Sequence, residues 1–165
     1  MKTIIFIRHA KSSWDDPAMS DFDRPLNDRG KRDAPEMAER LVKKKIKVDA
    51  FISRPARRAR ITAVVFAKTY GLSTEDVILK DELYHPSETA FFDVITQITD
   101  PLETIAIFSH NPGITDFVNL LSNVRIDNVP TCGMFAVSFN GDWASFRQAN
   151  KNFLFFDYPK NGSHD

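Results

Sequence analysis

The stretch Thr3-Ile4-Ile5-Phe6-Ile7-Arg8-His9-Ala10 sets the pattern for the whole chain. Its apolar, β-branched beginning predicts a buried strand that ends where the charged pair Arg8-His9 follows. Two further runs of this type, 48–53 and 104–109, lead into other polar segments. Helical patterns separate the three runs, so the strands are predicted to be parallel. Their polar ends then meet at the carboxyl edge of the sheet, where open α/β proteins bind ligands.

The intervening segments carry helical periodicity. A helix that includes Pro35 is expected to be capped at Asp33 or kinked, and to end in the basic residues 43–45. A second helix is predicted from Pro55 to Tyr70 and a third over 87–99. Asn111-Pro112 is expected to open a fourth. Core-facing positions on these helices are Ala34, Met37, Ala38, Leu41, Ala59, Ala63, Phe66, Tyr70, Ile114, Phe117, Val118 and Leu121.

The remaining segments read as strands. Residues 77–80 predict a short edge strand, whereas 134–139 and 143–148 flank an Asn140-Gly141 turn and predict a β-hairpin. The expected fold class is α/β, a three-layer α/β/α sandwich with a mostly parallel central sheet. Residues 1–160 are expected to form one domain, followed by a disordered tail over 161–165.

Bulk composition limits the possible partners. Lys plus Arg and Asp plus Glu number 22 each, so no overall field attracts nucleic acid or an anionic membrane surface. No apolar run is long enough to cross a bilayer. Cys132 is the single cysteine and is expected to be a small buried residue in a protein of the reducing cytoplasm. An anionic substrate must therefore be attracted by a local cluster.

The polar segments at the predicted sheet edge supply such a cluster. They contain arginines, whose forked guanidinium groups match phosphate oxygens, and two histidines, His9 and His110. A histidine can attack phosphorus, and phosphoryl transfer depends mainly on positioning and charge stabilisation. Neither an acidic cluster with magnesium spacing nor histidines with zinc spacing are evident. The prediction is phosphoryl chemistry without a metal or other cofactor.

Three motifs resemble those of the histidine phosphatase superfamily, whose fold is phosphoglycerate mutase-like. They are Arg8-His9-Ala10-Lys11-Ser12, the segment from Ser53 to Thr62 in the pattern Ser-x-Pro-x-x-Arg-Ala-x-x-Thr, and Ser109-His110-Asn111-Pro112. Two further segments, 23–30 and 83–85, look like those of the small SixA-type phosphohistidine phosphatases. The resemblance extends from residue 3 to about residue 160.

The resemblance implies roles for individual residues. His9 would take the phosphoryl group and water would release it, while Arg8, Arg58 and His110 hold its oxygens. Substrate contacts are expected from Lys11, Ser12, Arg24 and His85. Glu82 and His85 are the candidates for a general acid.

The other arginines of the second motif are read differently. Arg54 and Arg60 are expected to lie on a solvated helix face, because runs of charge on a helix are usually exposed. For Arg57 two alternatives stay open: it lies on the solvated helix face, or it contributes to the phosphate site.

The resemblance also implies a substrate class. A phosphohistidine-bearing protein, such as the phosphotransfer domain of a signalling relay, is favoured, and a small phosphorylated metabolite is the alternative. Two readings from other classes remain: a phospho-dependent binding module without turnover, and an interaction protein without a phosphate site. Phosphate or vanadate binding and His9-dependent hydrolysis separate these possibilities.

Overall fold

The computed structural model describes residues 1–11, 25–84, 87–99 and 101–161. Its strands are β1 (Lys2–Arg8), β2 (Ala50–Ser53), β3 (Val77–Leu79), β4 (Thr104–Ser109), β5 (Met134–Phe139) and β6 (Asn152–Asp157). Its α-helices are α1 (Asp28–Lys43), α2 (Arg57–Thr69), α3 (Glu88–Thr96) and α4 (Gly113–Leu121).

The six strands form one sheet in the order β3-β2-β4-β1-β5-β6. The four strands from β3 to β1 are parallel to one another, whereas β5 and β6 join in antiparallel orientation. Alternate residues of β1 enter two separate cores. Ile4 and Phe6 pack with α3 and α4, and Ile5 and Ile7 pack with α1 and α2. The predicted α/β sandwich with a mostly parallel sheet is therefore confirmed.

The predicted helical core faces are also confirmed. Nearly all the predicted core-facing positions are buried, and Tyr70 is half-buried. In the described part of the chain, none of the helices combines the length and the apolar character that a membrane crossing requires.

Helix α1 differs from the prediction at its start. It runs unbroken from Asp28 through Pro35, and its cap is Asn27, whose Oδ1 accepts the Gly30 N–H at 2.9 Å. Asp33 therefore lies inside the helix and is not its cap. Asn27 is an effective cap because its short side chain satisfies an N–H that has no partner within the helix.

The predicted second strand of the hairpin is wrong. Residues 143–145 form a 3-10 turn, and the antiparallel partner of β5 is β6. Asp142 favours the helical turn because its carboxylate accepts hydrogen bonds from the N–H and hydroxyl of Ser145. Trp143 and Phe146 are both buried and lie three residues apart, which is the spacing of a helical turn and not of a strand.

Arg40 of α1 holds the end of the chain against the fold. Its guanidinium donates to Asp157 at 3.3 Å and to three backbone carbonyls within 158–161, each at 2.9 Å. It also bonds Glu36 at 3.0 Å. Residues 162–165 of the expected tail over 161–165 lie outside the described residues.

We expect Arg40→Ala to lower the free energy of unfolding by about 2–3 kcal/mol, because several partly buried acceptors lose their donor. Urea denaturation measures the change. The control is Arg32→Ala, which removes an exposed arginine of the same helix. Equal stability of the two variants would contradict the role assigned to Arg40.

Candidate active site

The three polar segments meet at the carboxyl edge of the parallel strands, as the sequence predicts. Arg8 and Ser109 are partners at the ends of β1 and β4, and the His9 N–H donates to the Ser109 carbonyl at 3.0 Å. The Arg54 N–H, immediately after β2, donates to the Phe108 carbonyl at 3.1 Å. Backbone hydrogen bonds between neighbouring strands thus bring together segments that are about 50 to 100 residues apart in sequence.

The ring of His9 has a defined tautomer. Arg58 Nε lies 3.1 Å from His9 Nε2, and because a guanidinium nitrogen can only donate, Nε2 must be the acceptor. The proton is therefore on Nδ1, which donates to the Ala10 carbonyl at 2.7 Å. This arrangement leaves an unprotonated Nε2 on a ring of fixed orientation, which is the state a histidine nucleophile requires.

The surroundings of His9 keep its ring uncharged. Burial lowers the pKa of His9 to about 3, and the charges of Arg58, Arg8 and Arg54 act in the same direction. The hydrogen bond to Ala10 opposes them without reversing the shift. The imidazole is thus neutral at any physiological pH while no anion is bound.

The guanidinium of Arg8 has one buried donor, Nε, that makes no hydrogen bond. Its Nη1 bonds the Val129 carbonyl at 2.9 Å, while its Nε is buried without a hydrogen-bond partner, as is Ser109 Oγ. Burial and the charge of Arg58 both lower the pKa of Arg8. Two buried polar atoms without partners, beside mutually repelling cations, mark a site suited to an anion.

Thr62 ties the His9 segment to helix α2. Its hydroxyl donates to the Arg58 carbonyl at 2.7 Å and accepts the Ala10 N–H at 3.0 Å. Thr62 is fully buried. One side chain therefore sets the distance between the histidine loop and the helix that carries Arg58.

The arginines of the second motif separate into two groups. Arg58 is 5% exposed and faces His9, whereas Arg57 and Arg60 are exposed, as expected for Arg60. The prediction for Arg54 is wrong, because its side chain is only 1% exposed. Helix α2 begins at Arg57, so Arg54 lies on extended chain at the end of β2 and not on a solvated helix face. The sequence signal for its burial is that Arg54 follows β2 directly and precedes Pro55, so it lies before the start of the helix.

The other predicted site residues are distributed as follows. His110 is half-buried and follows β4, next to His9 at the strand ends. Lys11 is exposed, and its carbonyl accepts the Asn27 N–H at 2.9 Å. Glu82 is exposed in a 3-10 turn over 81–83. The predicted roles of Ser12, Arg24 and His85 fall outside the described residues.

A shallow depression lies where α1 and α2 begin. Its volume is about 580 Å³, and the described residues of its lining include the cations Arg29, Lys31 and Arg57 and the carboxylate Asp28. The depression adjoins the segment that follows His9, because the N–H of its lining residue Asn27 donates to the Lys11 carbonyl at 2.9 Å. Cations outnumber carboxylates among these described residues, in a chain of zero net charge. We call it the Arg57 depression.

Cys132 is fully buried, as predicted, and burial raises the pKa of its thiol. Among the described residues, no group of three or more His, Cys, Asp or Glu side chains is arranged to hold a metal ion.

Comparison with known proteins finds one matching family model. Residues 4–84, which are 81 of the 165 residues, match the model of the histidine phosphatase superfamily, branch 1. The matched region contains His9, Arg58 and Thr62, while His110 lies beyond it.

Proteins of similar sequence and structure match most of the chain. An uncharacterized chloroplastic protein of Arabidopsis thaliana is 29% identical over 151 residues, which is 86% of this chain and 69% of that protein. Two solved structures share the fold. The protein histidine phosphatase SixA complexed with tungstate has a TM-score of 0.82 at 21% identity, over 96% of this chain and 98% of the other. A mycobacterial glucosyl-3-phosphoglycerate phosphatase with VO3 has a TM-score of 0.71 at 13% identity, over 96% and 100%.

The ring of His9 should stay neutral far into the acid range. Because the pKa is lowered to about 3, the ring gains a proton only as the pH falls through that value. In phosphate-free buffer at pH 5, nitrogen NMR of the His9 ring should therefore show the Nδ1–H tautomer. A titration midpoint between 6 and 7 would contradict the arrangement, and unfolded protein at the same pH supplies the reference.

Proposed function

We propose that this protein is a metal-independent phosphatase in which His9 accepts the phosphoryl group. The observation that carries the proposal is the neutral His9 ring, whose unprotonated Nε2 accepts a hydrogen bond from Arg58 in a buried, cationic environment. An uncharged nitrogen is nucleophilic, and the adjacent cations attract the dianionic group that it must attack. The match of residues 4–84 to the histidine phosphatase superfamily model supports the same chemistry.

The reaction has two displacements. Nε2 of His9 forms a bond to phosphorus as the bond to the leaving atom breaks, and the electron pair leaves with that atom. Nδ1–H keeps its hydrogen bond to Ala10, so the ring becomes a phosphorylated imidazolium and hence a good leaving group. Water then attacks phosphorus, the P–N bond breaks, and a proton of that water is released. Inorganic phosphate departs and neutral His9 is restored.

The cations act on charge during both steps. Arg8 and Arg58 hold the phosphoryl oxygens, and His110 donates to them from the end of β4. The two arginines can stabilise the transition state without reorganisation, because hydrogen bonds already fix their guanidinium groups. This set supplies the charge stabilisation that a metal ion supplies in other phosphatases, so the reaction should proceed in EDTA.

The favoured substrate is phosphohistidine on a protein, such as a phosphotransfer domain. The motif resemblance to SixA-type enzymes supports this choice, as does the structural likeness to a protein histidine phosphatase. A phosphohistidine needs little help from a general acid, because its leaving group is an imidazole nitrogen. Glu82 and His85 remain the candidates for that proton, and their roles stay predictions.

A small phosphorylated metabolite is the second candidate. It is favoured by the shared fold of the mycobacterial glucosyl-3-phosphoglycerate phosphatase, whose named substrate is a small molecule. The chemistry at His9 would be the same, and only the group carrying the phosphate would differ.

Hydrolysis of a phosphohistidine-labelled phosphotransfer domain, beside a small phosphate ester, tests the proposal. We expect rapid loss of label with wild type in EDTA, none with His9→Ala, and a rate lower by about 100-fold to 1,000-fold with Arg58→Ala. Arg60→Ala, which removes an exposed arginine of the same helix, is the control. Near-normal turnover by His9→Ala would refute the mechanism. Fast ester cleavage with an intact protein label would move the substrate to small metabolites.

The Arg57 depression supports a macromolecular substrate. It is open, basic and next to the buried site, so it suits the acidic surface of a docked protein better than a small phosphate ester. A small ester would be covered by contacts around His9 and would not extend across the depression.

We therefore expect Arg57→Glu to raise KM for the labelled protein by about 3-fold to 10-fold, with KM for the ester unchanged. Arg60→Glu makes the same charge change on the same helix, at an exposed residue that is not among the described lining residues, and serves as control. An equal effect of both variants, or an equal effect on both substrates, would count against docking at this surface.

A further inference from the structure

The segment between α4 and β5 joins the two elements without forming a helix or strand of its own, so its backbone groups need other partners. Helix α4 and the turn before it supply three polar side chains spaced four residues apart, which therefore lie on one face. They are Asn111, Thr115 and Asn119. Asn119 bonds the N–H and the carbonyl of Ile126, each at 2.7 Å. The other two bond the segment three residues further on, at Val129.

Val129 is held at both of its backbone polar groups. Its N–H donates to Thr115 Oγ1 at 3.0 Å, and its carbonyl accepts Asn111 Nδ2 at 3.1 Å. The hydroxyl of the buried Thr115 donates to Asn111 Oδ1 at 2.6 Å, and the Thr115 N–H donates to the same oxygen at 3.3 Å. Because an N–H can only donate, the Asn111 amide has one orientation, with Oδ1 toward Thr115 and Nδ2 toward Val129.

The carbonyl of Val129 also orients Arg8. It accepts Arg8 Nη1 at 2.9 Å, so one oxygen joins the Asn111 amide to the Arg8 guanidinium. The same segment holds the Arg8 main chain, whose N–H donates to the Gly133 carbonyl and whose carbonyl accepts the Cys132 N–H, both at 3.0 Å. The main chain and the side chain of Arg8 therefore both depend on where this segment lies.

We propose that Asn111 is a positioning residue for Arg8 and acts through the Val129 carbonyl. Thr115 assists by fixing the Asn111 amide. The inference rests on the proposed function, in which Arg8 holds a phosphoryl oxygen. With Nη1 anchored, the planar guanidinium presents its buried Nε, which makes no hydrogen bond, in a fixed direction. A donor that is fixed before the anion arrives stabilises the transition state without losing side-chain freedom at that moment.

A double-mutant cycle on vanadate binding tests this coupling without any substrate. NMR titration is the measurement, because it reaches millimolar dissociation constants. We expect Asn111→Ala to weaken binding by about 5-fold to 20-fold, since Arg8 loses its fixed orientation. In an Arg8→Met background, the same substitution should change the affinity by less than about 2-fold, since it acts only through Arg8. A purely structural residue would weaken binding equally in both backgrounds, and that result would overturn the proposal.

Asn119→Ala is the matched control. It removes two hydrogen bonds from the same face of α4 to the same segment, but neither of them involves Val129 or Arg8. It should lower the melting temperature and leave the vanadate affinity within about 2-fold of wild type. An equal loss of affinity in Asn119→Ala and Asn111→Ala would mean that only the stability of the segment matters, which would overturn the positioning role.

Thr115 supplies a second test that does not depend on the folding of Asn111→Ala. Thr115→Val keeps the size of the side chain and removes the hydroxyl that fixes the Asn111 amide, so vanadate binding should weaken by about 3-fold to 10-fold. Thr115→Ser keeps the hydroxyl and should bind within about 2-fold of wild type. Equal affinities of the Val and Ser variants would overturn the proposed network.

These outcomes differ from a failure of the proposed function. Wild-type protein that binds neither phosphate nor vanadate would refute both. Wild type that binds vanadate and shows His9-dependent turnover, with additive effects of Asn111→Ala and Arg8→Met, would refute only the role of Asn111.

Discussion

The hydrogen bond from Arg58 Nε to His9 Nε2 is the interaction on which the site depends. It defines the tautomer, because only an unprotonated nitrogen can accept from a guanidinium, and it places the nucleophilic atom beside a cation. The carbonyl of Ala10 holds the opposite side of the ring, and Thr62 joins the two segments. A change in the spacing between the His9 loop and helix α2 would therefore alter the tautomer, the orientation and the electrostatics of His9 together.

The same arrangement has an electrostatic cost when no anion is bound. Burial and mutual repulsion of the arginines disfavour the empty site, and the lowered pKa values of His9 and Arg8 are the signature of that cost. The two hydrophobic cores on either side of the sheet offset it, since neither depends on the polar edge. The candidate site thus lies where the fold is electrostatically least favourable, and in the proposed reaction the anion that restores the balance is the phosphoryl group.

Tertiary contacts overrode local signals at particular places. Asn140-Gly141 favours a hairpin, yet Asp142 and the burial of Trp143 with Phe146 make a helical turn, and the strand forms later. Arg54 stands in a run of charge that normally faces solvent, yet its position past β2 turns it inward. Both errors arise because a local pattern does not report which neighbour will cover a residue.

The sequence by itself determined the element types, the parallel sheet and the segments that carry His9, Arg58 and His110, because hydrophobic periodicity and motif spacing are local properties. Only the tertiary structure decided which nitrogen of His9 is unprotonated and that Arg54 is buried at the same edge of the sheet. It also decided that Arg57 opens onto a basic depression. Those features depend on distances between strands and helices far apart in the chain, which no local pattern contains.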